Sequence, residues 1–316
     1  MNFIHSVQSF AANGVMIAII AHGLVGISLL WDKVLLRRKG MQSLASYVFW
    51  LGAISIFGLA LIPFGFHMPS LKIAGIAFAA GFFDLAATWF YYGALKAGEA
   101  SEELAAMGGF MPLATVLISI PLIGVDLKGQ LAGFIIMTLG GFVMFFAEKL
   151  PLSRMLPLVI GACVLFGLTN VLQKMAFNEA KFVSGYVFFT IGTFVGSVAL
   201  LLRPKWRHEI FQHSEEAAPR SKVGYMLNRF LAGVGSFLVV FAVSRTSPSM
   251  VVAISGVRYV VIFLGAWAIT QWIPSWFRED FNRRALLIKA FGTALVVAGL
   301  VLAGLHGASP GSGGPQ

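Results

Sequence analysis

Ten stretches of about 20 apolar residues, set apart by short polar links, dictate what this chain can fold into. They run approximately over 12–31, 44–62, 73–95, 102–123, 129–147, 155–176, 184–202, 223–243, 248–271 and 287–305. Each is long enough to cross the hydrocarbon core of a bilayer as a helix. Across 316 residues, 58% are hydrophobic and 11% charged, against about 25% charged in an average soluble domain. That balance excludes an ordinary soluble enzyme. The N-terminus has neither an early Lys or Arg nor a small-residue cleavage site, so the first segment is expected to stay as a span. The single Cys163 excludes an intramolecular disulfide.

The segments repeat in order. Tyr47-Val48-Phe49-Trp50 in segment 2 matches Tyr186-Val187-Phe188-Phe189 in segment 7, and Pro63 and Pro204 close the two. Gly26 and Lys33 match Gly167 and Lys174, each 141 residues apart. Ala94 and Gly108 match Ala242 and Gly256, while Gly133 and Gly140 match Gly292 and Gly299. The predicted fold class is an all-α integral membrane protein with ten transmembrane helices in two inverted five-helix repeats. Residues 1–150 form the first repeat, 151–307 the second, and 308–316 a Gly/Ser/Pro-rich disordered tail. An odd number of helices per repeat makes the second copy enter from the opposite face. That plan is common among secondary transporters, whose sites lie near the midplane between repeats. A duplication kept only for packing is the plainer alternative.

The stretch YYGALKAGEASEELAAMGGFMPLATVLISIPLIG (91–124) resembles EamA-type members of the drug/metabolite transporter superfamily. The resemblance rests on the Ala-Leu-Lys end of helix 3, the polar link, and Gly108 and Pro112 in helix 4. FAVSRTSPSMVVAISGVRYVVIFLGAWAI (241–269) repeats the pattern, and the likeness covers residues 12–305. It implies ten helices around a central cavity that moves small metabolites by alternating access. The acidic residue often found between helices 4 and 5 is here Asp126, in a displaced Gly-Val-Asp context.

The formal charge of +10 is a matter of topology before it is one of nucleic acid. Odd-numbered connections and helix ends hold 16 Lys and Arg, even-numbered ones five. The positive-inside rule puts odd connections in the cytoplasm and both termini outside; the family resemblance implies cytoplasmic termini. The location expected is the cell (plasma or inner) membrane. The connection 203–222 is expected to hold a short interfacial helix, with Trp206, Ile210 and Phe211 toward lipid headgroups.

Charges deep in a span cost roughly 2.5–3.5 kcal/mol on insertion scales and mark function or structural pairing. Asp84 in segment 3 and Arg258 in segment 9 lie near the bilayer centre. They are expected either to line a translocation cavity, paired in one state, or to lock two helices as a structural ion pair. Asp84 is also a candidate proton carrier. Arg229, read as shallower, is expected to be an interfacial anchor. His22 is either a proton relay or a packing histidine. Asn170 reaches substrate or a neighbouring helix. Trp89 and Tyr92 form an interfacial belt or wall the cavity. Asp32, Lys33 and Lys174 are possible gate residues; for the lysines snorkelling is the bland reading.

Several signatures are missing. His208 and His213 are five residues apart, off the common helix face that a zinc-protease motif needs. Gly93–Gly98 has the glycine spacing of a phosphate-binding loop, but Glu99 stands where the essential Lys belongs. No metal or cofactor site is expected. The function expected is secondary transport of a small polar or amphipathic metabolite, proton-coupled or by exchange, in contact with membrane lipids and without nucleic acid. The alternative is a membrane-embedded enzyme acting on a lipid-linked substrate.

Overall fold

The computed structural model describes residues 14–36, 38, 43–97, 100–124, 131–146, 152–216, 218–246, 248–276 and 283–307. Glu99, Asp126 and the tail 308–316 lie outside these described residues. Among the described residues every regular element is a helix: α1 Gly14–Leu36, α2 Leu44–Ile54, α3 Leu71–Ala97, α4 Ala100–Ile123, α5 Leu131–Phe146 and α6 Leu152–Glu179. There follow α7 Phe182–Ala199, α8 Pro204–Glu216, α9 Pro219–Arg245, α10 Pro248–Ile254, α11 Gly256–Trp272 and α12 Arg283–Gly307. Seven stretches are long and apolar enough to cross a membrane: Gly14–Leu36, Leu44–Phe64, Leu71–Ala97, Met155–Glu179, Phe182–Leu202, Pro219–Arg245 and Met250–Trp272. This is an all-α, multi-pass membrane protein. The other three expected segments lie in α4, α5 and α12, whose described apolar runs are shorter.

Local sequence explains the breaks. Ser43 caps α2 by accepting from the Ser46 amide. At Ser55 the helix tightens into a 3-10 run, Ser55–Phe64, which ends at Pro63 and a left-handed Gly65 (φ 104°). Ten residues of 3-10 helix is long for a form usually confined to three or four, and such runs mark strain or a hinge. Pro219 opens α9, where its missing N–H costs nothing. At Ser255 the α10–α11 span breaks: the Ser255 amide bonds the carbonyl of Val252 and leaves that of Val251 to another donor.

Small residues let the helices close on one another. A methyl group on Gly81 of α3 would lie 1.8 Å from the Phe189 carbonyl oxygen of α7, and one on Gly192 would lie 2.0 Å from that of Phe78. Between α5 and α12 the approach is looser: a methyl group on Gly140 would lie 2.7 Å from the Gly292 carbonyl oxygen, and one on Gly299 2.6 Å from that of Gly133. Helix α9 lies along α1, where Asn228 donates to the Ser28 carbonyl (3.2 Å). Helix α6 lies along α3, where Thr169 donates to the Ala80 carbonyl (3.2 Å).

The expected amphipathic helix of 203–222 is α8, but its contacts differ from the expectation. Ile210 is fully buried against Ala45 and Phe49, and Trp206 packs on Trp89 with ring centroids 4.7 Å apart. Only Phe211 is exposed. The start of α2 offers an apolar face, so α8 docks on protein where a headgroup contact was expected.

Candidate functional site: a central cavity closed at both ends by different chemistry

Helices α1, α2, α3, α6, α7, α9, α10 and α11 surround a cavity of about 790 Å³. His22, Asp32, Asp84, Tyr92, Asn170 and Arg258, all singled out from the sequence, lie on its wall. The remaining wall is mainly apolar and aromatic, a setting in which a few polar groups fix a ligand's orientation.

At one end, α1, α2, α3 and α9 converge on a buried ion pair between Asp32 and Arg229. Asp32 Oδ1 accepts from the Arg229 guanidinium, from Tyr47 Oη–H and from Asn228 Nδ2 (2.5 Å). Oδ2 accepts from Tyr92 Oη–H (2.6 Å). Arg229 also donates from Nη1 to Tyr92 Oη (3.2 Å), and its guanidinium lies over the rings of Tyr47 and Tyr225, 5.3 and 5.1 Å from their centroids. Tyr225 Oη–H donates to the Tyr47 carbonyl (3.0 Å). A charge pair taken out of water holds only when its remaining valences are met by hydrogen bonds, and here nearly all are. Arg229 Nε and Asn228 Oδ1 have no partner among the described residues.

This network corrects two expectations. Arg229 is a buried ion-pair partner and no interfacial anchor: its guanidinium is enclosed in protein between Asp32 and the rings of Tyr47 and Tyr225. Lys33 does not snorkel either. It is buried, and its Nζ donates to the Leu95 carbonyl (2.7 Å), one of the last carbonyls of α3, which lack intrahelical donors.

At mid-height, Arg258 and Asp84 do not form the expected pair. The Arg258 guanidinium donates to His22 Nδ1 (2.9 Å), while His22 Nε2 faces the Val251 carbonyl at 2.9 Å. A guanidinium can only donate, so Nδ1 must accept and Nε2 must carry the proton. His22 is therefore neutral, held by the carbonyl that the break at Ser255 releases. Among the described residues Arg258 Nε has no partner, and no carboxylate lies within ion-pair distance of Arg258. Asp84 has no hydrogen-bond or ion-pair partner among the described residues.

At the opposite end the closure is aromatic. Phe182 and Tyr186 of α7 meet Phe237 and Phe241 of α9, with Tyr186–Phe237 and Phe182–Phe241 centroids 5.2 and 5.1 Å apart. Phe177 of α6 completes the cluster against Phe182 at 5.4 Å. Gln173, also on the cavity wall, is buried there with Oε1 unpartnered among the described residues.

Two expected site residues are elsewhere. Trp89 packs on Trp206 of α8 and with it lines a separate apolar groove of about 260 Å³, and Lys174 is partly buried off the cavity wall. Sequence reasoning missed the partnership of Asp32, Arg229, Tyr47, Tyr225 and Asn228. Its one legible signal was the adjacent polar pair Asn228-Arg229 inside an apolar segment.

No family model and no curated protein matches the chain. A crystal structure of a protein 15% identical in sequence aligns with a TM-score of 0.59. The alignment covers 96% of this chain and 99% of that one. At that identity the likeness concerns the fold alone.

Proposed function

We propose that this chain is a secondary transporter of the EamA type, built as ten helices in two inverted repeats, that moves a small polar or amphipathic solute by alternating access. The observation that carries this reading is the central cavity with a separate closure at each end, the Asp32–Arg229 network and the aromatic cluster. Alternating access needs two such closures, one released at a time. The inverted repeat has support in the packing. The offset that matches Lys33 with Lys174 also matches Ser28 with Thr169, and the offset that matches Ala94 with Ala242 also matches Ala80 with Asn228. The hydrogen bonds Asn228–Ser28 and Thr169–Ala80 thus join matched positions in swapped roles.

The ionic closure lies at the end carrying the odd-numbered, basic connections, which the positive-inside rule assigns to the cytoplasm. On that reading the cell-membrane protein is locked toward the cytoplasm by its ion pair. The enzyme reading has less to stand on. Among the described wall residues, His22 has both ring nitrogens engaged and Asp84 has no partner to orient or activate it.

Asp84, a carboxylate on the cavity wall without a counter-charge among the described residues, is the group best placed to couple a proton to the solute. Purified protein in liposomes, driven by an imposed pH gradient against a metabolite panel, is expected to accumulate solute. Asp84→Asn should insert normally and lose the gradient-driven component. Catalytic turnover without any transport would overturn the transporter reading, and wild-type pH dependence in the variant would remove Asp84 from coupling.

A further inference from the structure

The cavity has a third boundary besides its two ends. Helices α2 and α9 meet where Tyr47 packs edge-on against Tyr225, 5.0 Å between centroids, and are not packed along the rest of their length. The 3-10 half of α2 instead turns onto α7, where Ser55 donates to the Thr190 carbonyl (3.1 Å) and Gly58 sits against the Thr190 side chain. Farther along α9, Phe237 and Phe241 rejoin α7 at Tyr186 and Phe182. Between these two contacts α2 and α9 are not packed against each other, and that gap is the candidate window. Its edges are Phe57, Gly58 and Leu61 on one side and Phe230, Gly233 and Val234 on the other, all of which also line the cavity. Phe57 is 72% and Phe230 75% exposed. Both lie well inside spans, at a depth where the outside of a membrane helix meets acyl chains rather than water.

The charges inside the cavity constrain what could come through. Asp32 and Arg229 neutralise each other and His22 is neutral, which leaves Arg258 and Asp84 on the wall, each without a described counter-ion. With Asp84 ionised, an anion alone would leave it uncompensated, and a cation alone would leave Arg258 so. A ligand that carries both charges meets both, in a low-dielectric space where an unmet charge is costly.

We infer that the cavity opens sideways into the bilayer between α2 and α9 and takes a single-chain zwitterionic amphiphile through that window. Its cationic group lies on Asp84, its anionic group on Arg258, and its apolar chain between Phe57 and Phe230. The inference rests on the transport reading for what happens to the ligand, but the binding it describes is tested without transport.

The protein is placed in phosphatidylglycerol nanodiscs and titrated with three probes, read by ligand-induced thermal stabilisation. They are lysophosphatidylethanolamine, lysophosphatidic acid of the same chain, and glycerophosphoethanolamine, which has the headgroup without the chain. The first is expected to bind at least about tenfold more tightly than either of the others. Asp84→Asn should erase its advantage over lysophosphatidic acid. Arg258→Gln should weaken both phosphate-bearing amphiphiles while sparing an alkylamine of equal length, added as a control beside the three probes. Gly233 stands at the window's edge with open space where a side chain would begin. Gly233→Trp should therefore fold and selectively weaken chain-bearing probes. Equal binding of chained and chainless headgroups, together with indifference to Gly233→Trp, would overturn the window. Preference for a singly charged amphiphile would overturn the zwitterion assignment. Transport of a chainless solute would leave the transporter reading standing while this inference fell. Tight binding of the zwitterion with no movement across the bilayer would do the reverse.

Discussion

Helix α3 meets α7 with its backbone, through Gly81 and Gly192, whereas α2 meets α9 with side chains and only near one end. Under the two-repeat reading these are the same seam in its two copies, helix 3 of one repeat against helix 2 of the other. The offset that matches Ala94 with Ala242 also matches Gly81 with Arg229. Where one seam has a hydrogen atom, the other has a guanidinium. The glycine lets two backbones touch and seals its side of the cavity. The arginine cannot be buried alone, so it draws Asp32, Tyr47, Tyr92 and Asn228 around itself, and the helices beyond it stay apart. One seam is held by van der Waals contact spread along its length, the other by a compact polar knot at one point.

That contrast can be broken most forcefully at the knot. Arg229→Met leaves Asp32 buried without its counter-charge and should destabilise the protein by about 3–5 kcal/mol. The double variant Asp32→Leu/Arg229→Met should recover most of that loss, as thermal unfolding in detergent would read. Equal destabilisation of single and double variants would mean the pair is not the organising contact. At the sealed seam, Gly81→Ala puts a methyl group onto the Phe189 carbonyl and should cost about 1–3 kcal/mol by forcing α3 from α7. It should also raise solvent labelling of cysteines introduced along α7. Unchanged stability would show that the seam gives more readily than its geometry implies. The smallest effect is expected at Tyr225→Phe, which removes the hydrogen bond to the Tyr47 carbonyl while keeping the ring against Arg229. A loss of about 0.5–1.5 kcal/mol is expected. A larger one would mean that the hydroxyl, and not the ring, holds α2 to α9.

Much of the scaffold was legible before any coordinates. Apolar segment length locates the helices to within a few residues, because a span must be long enough to cross the hydrocarbon core. The amphipathic α8 was legible from its composition, but not what covers its apolar face: Ile210 finds Ala45 and Phe49 from a helix 160 residues earlier. Helix starts were less legible where polar residues open them. Pro219-Arg220-Ser221-Lys222 reads as loop by hydropathy and is the first turn of α9. That displacement made a protein-buried arginine read as an interfacial one, because its partners lie on helices far away in the chain.

The candidate site divides in the same way. Residue chemistry alone brought Asp84, Arg258, His22, Asn170, Tyr92 and Asp32 forward, because a polar group in an apolar span is expensive and must have a reason to be there. Each of the six lies on the cavity wall. What the sequence could not assign was partnership. Asp84 and Arg258 are opposite charges at similar depth, and nothing in their spacing forbids a pair; only packing puts His22 against Arg258 and leaves Asp84 without a described partner. The sequence by itself determined an all-helical membrane protein and which of its residues are costly to bury, since both follow from the transfer of single groups out of water. Tertiary structure alone decided which costly residues neutralise one another and which remain for a ligand, because that depends on the rotation and approach of helices far apart in the chain.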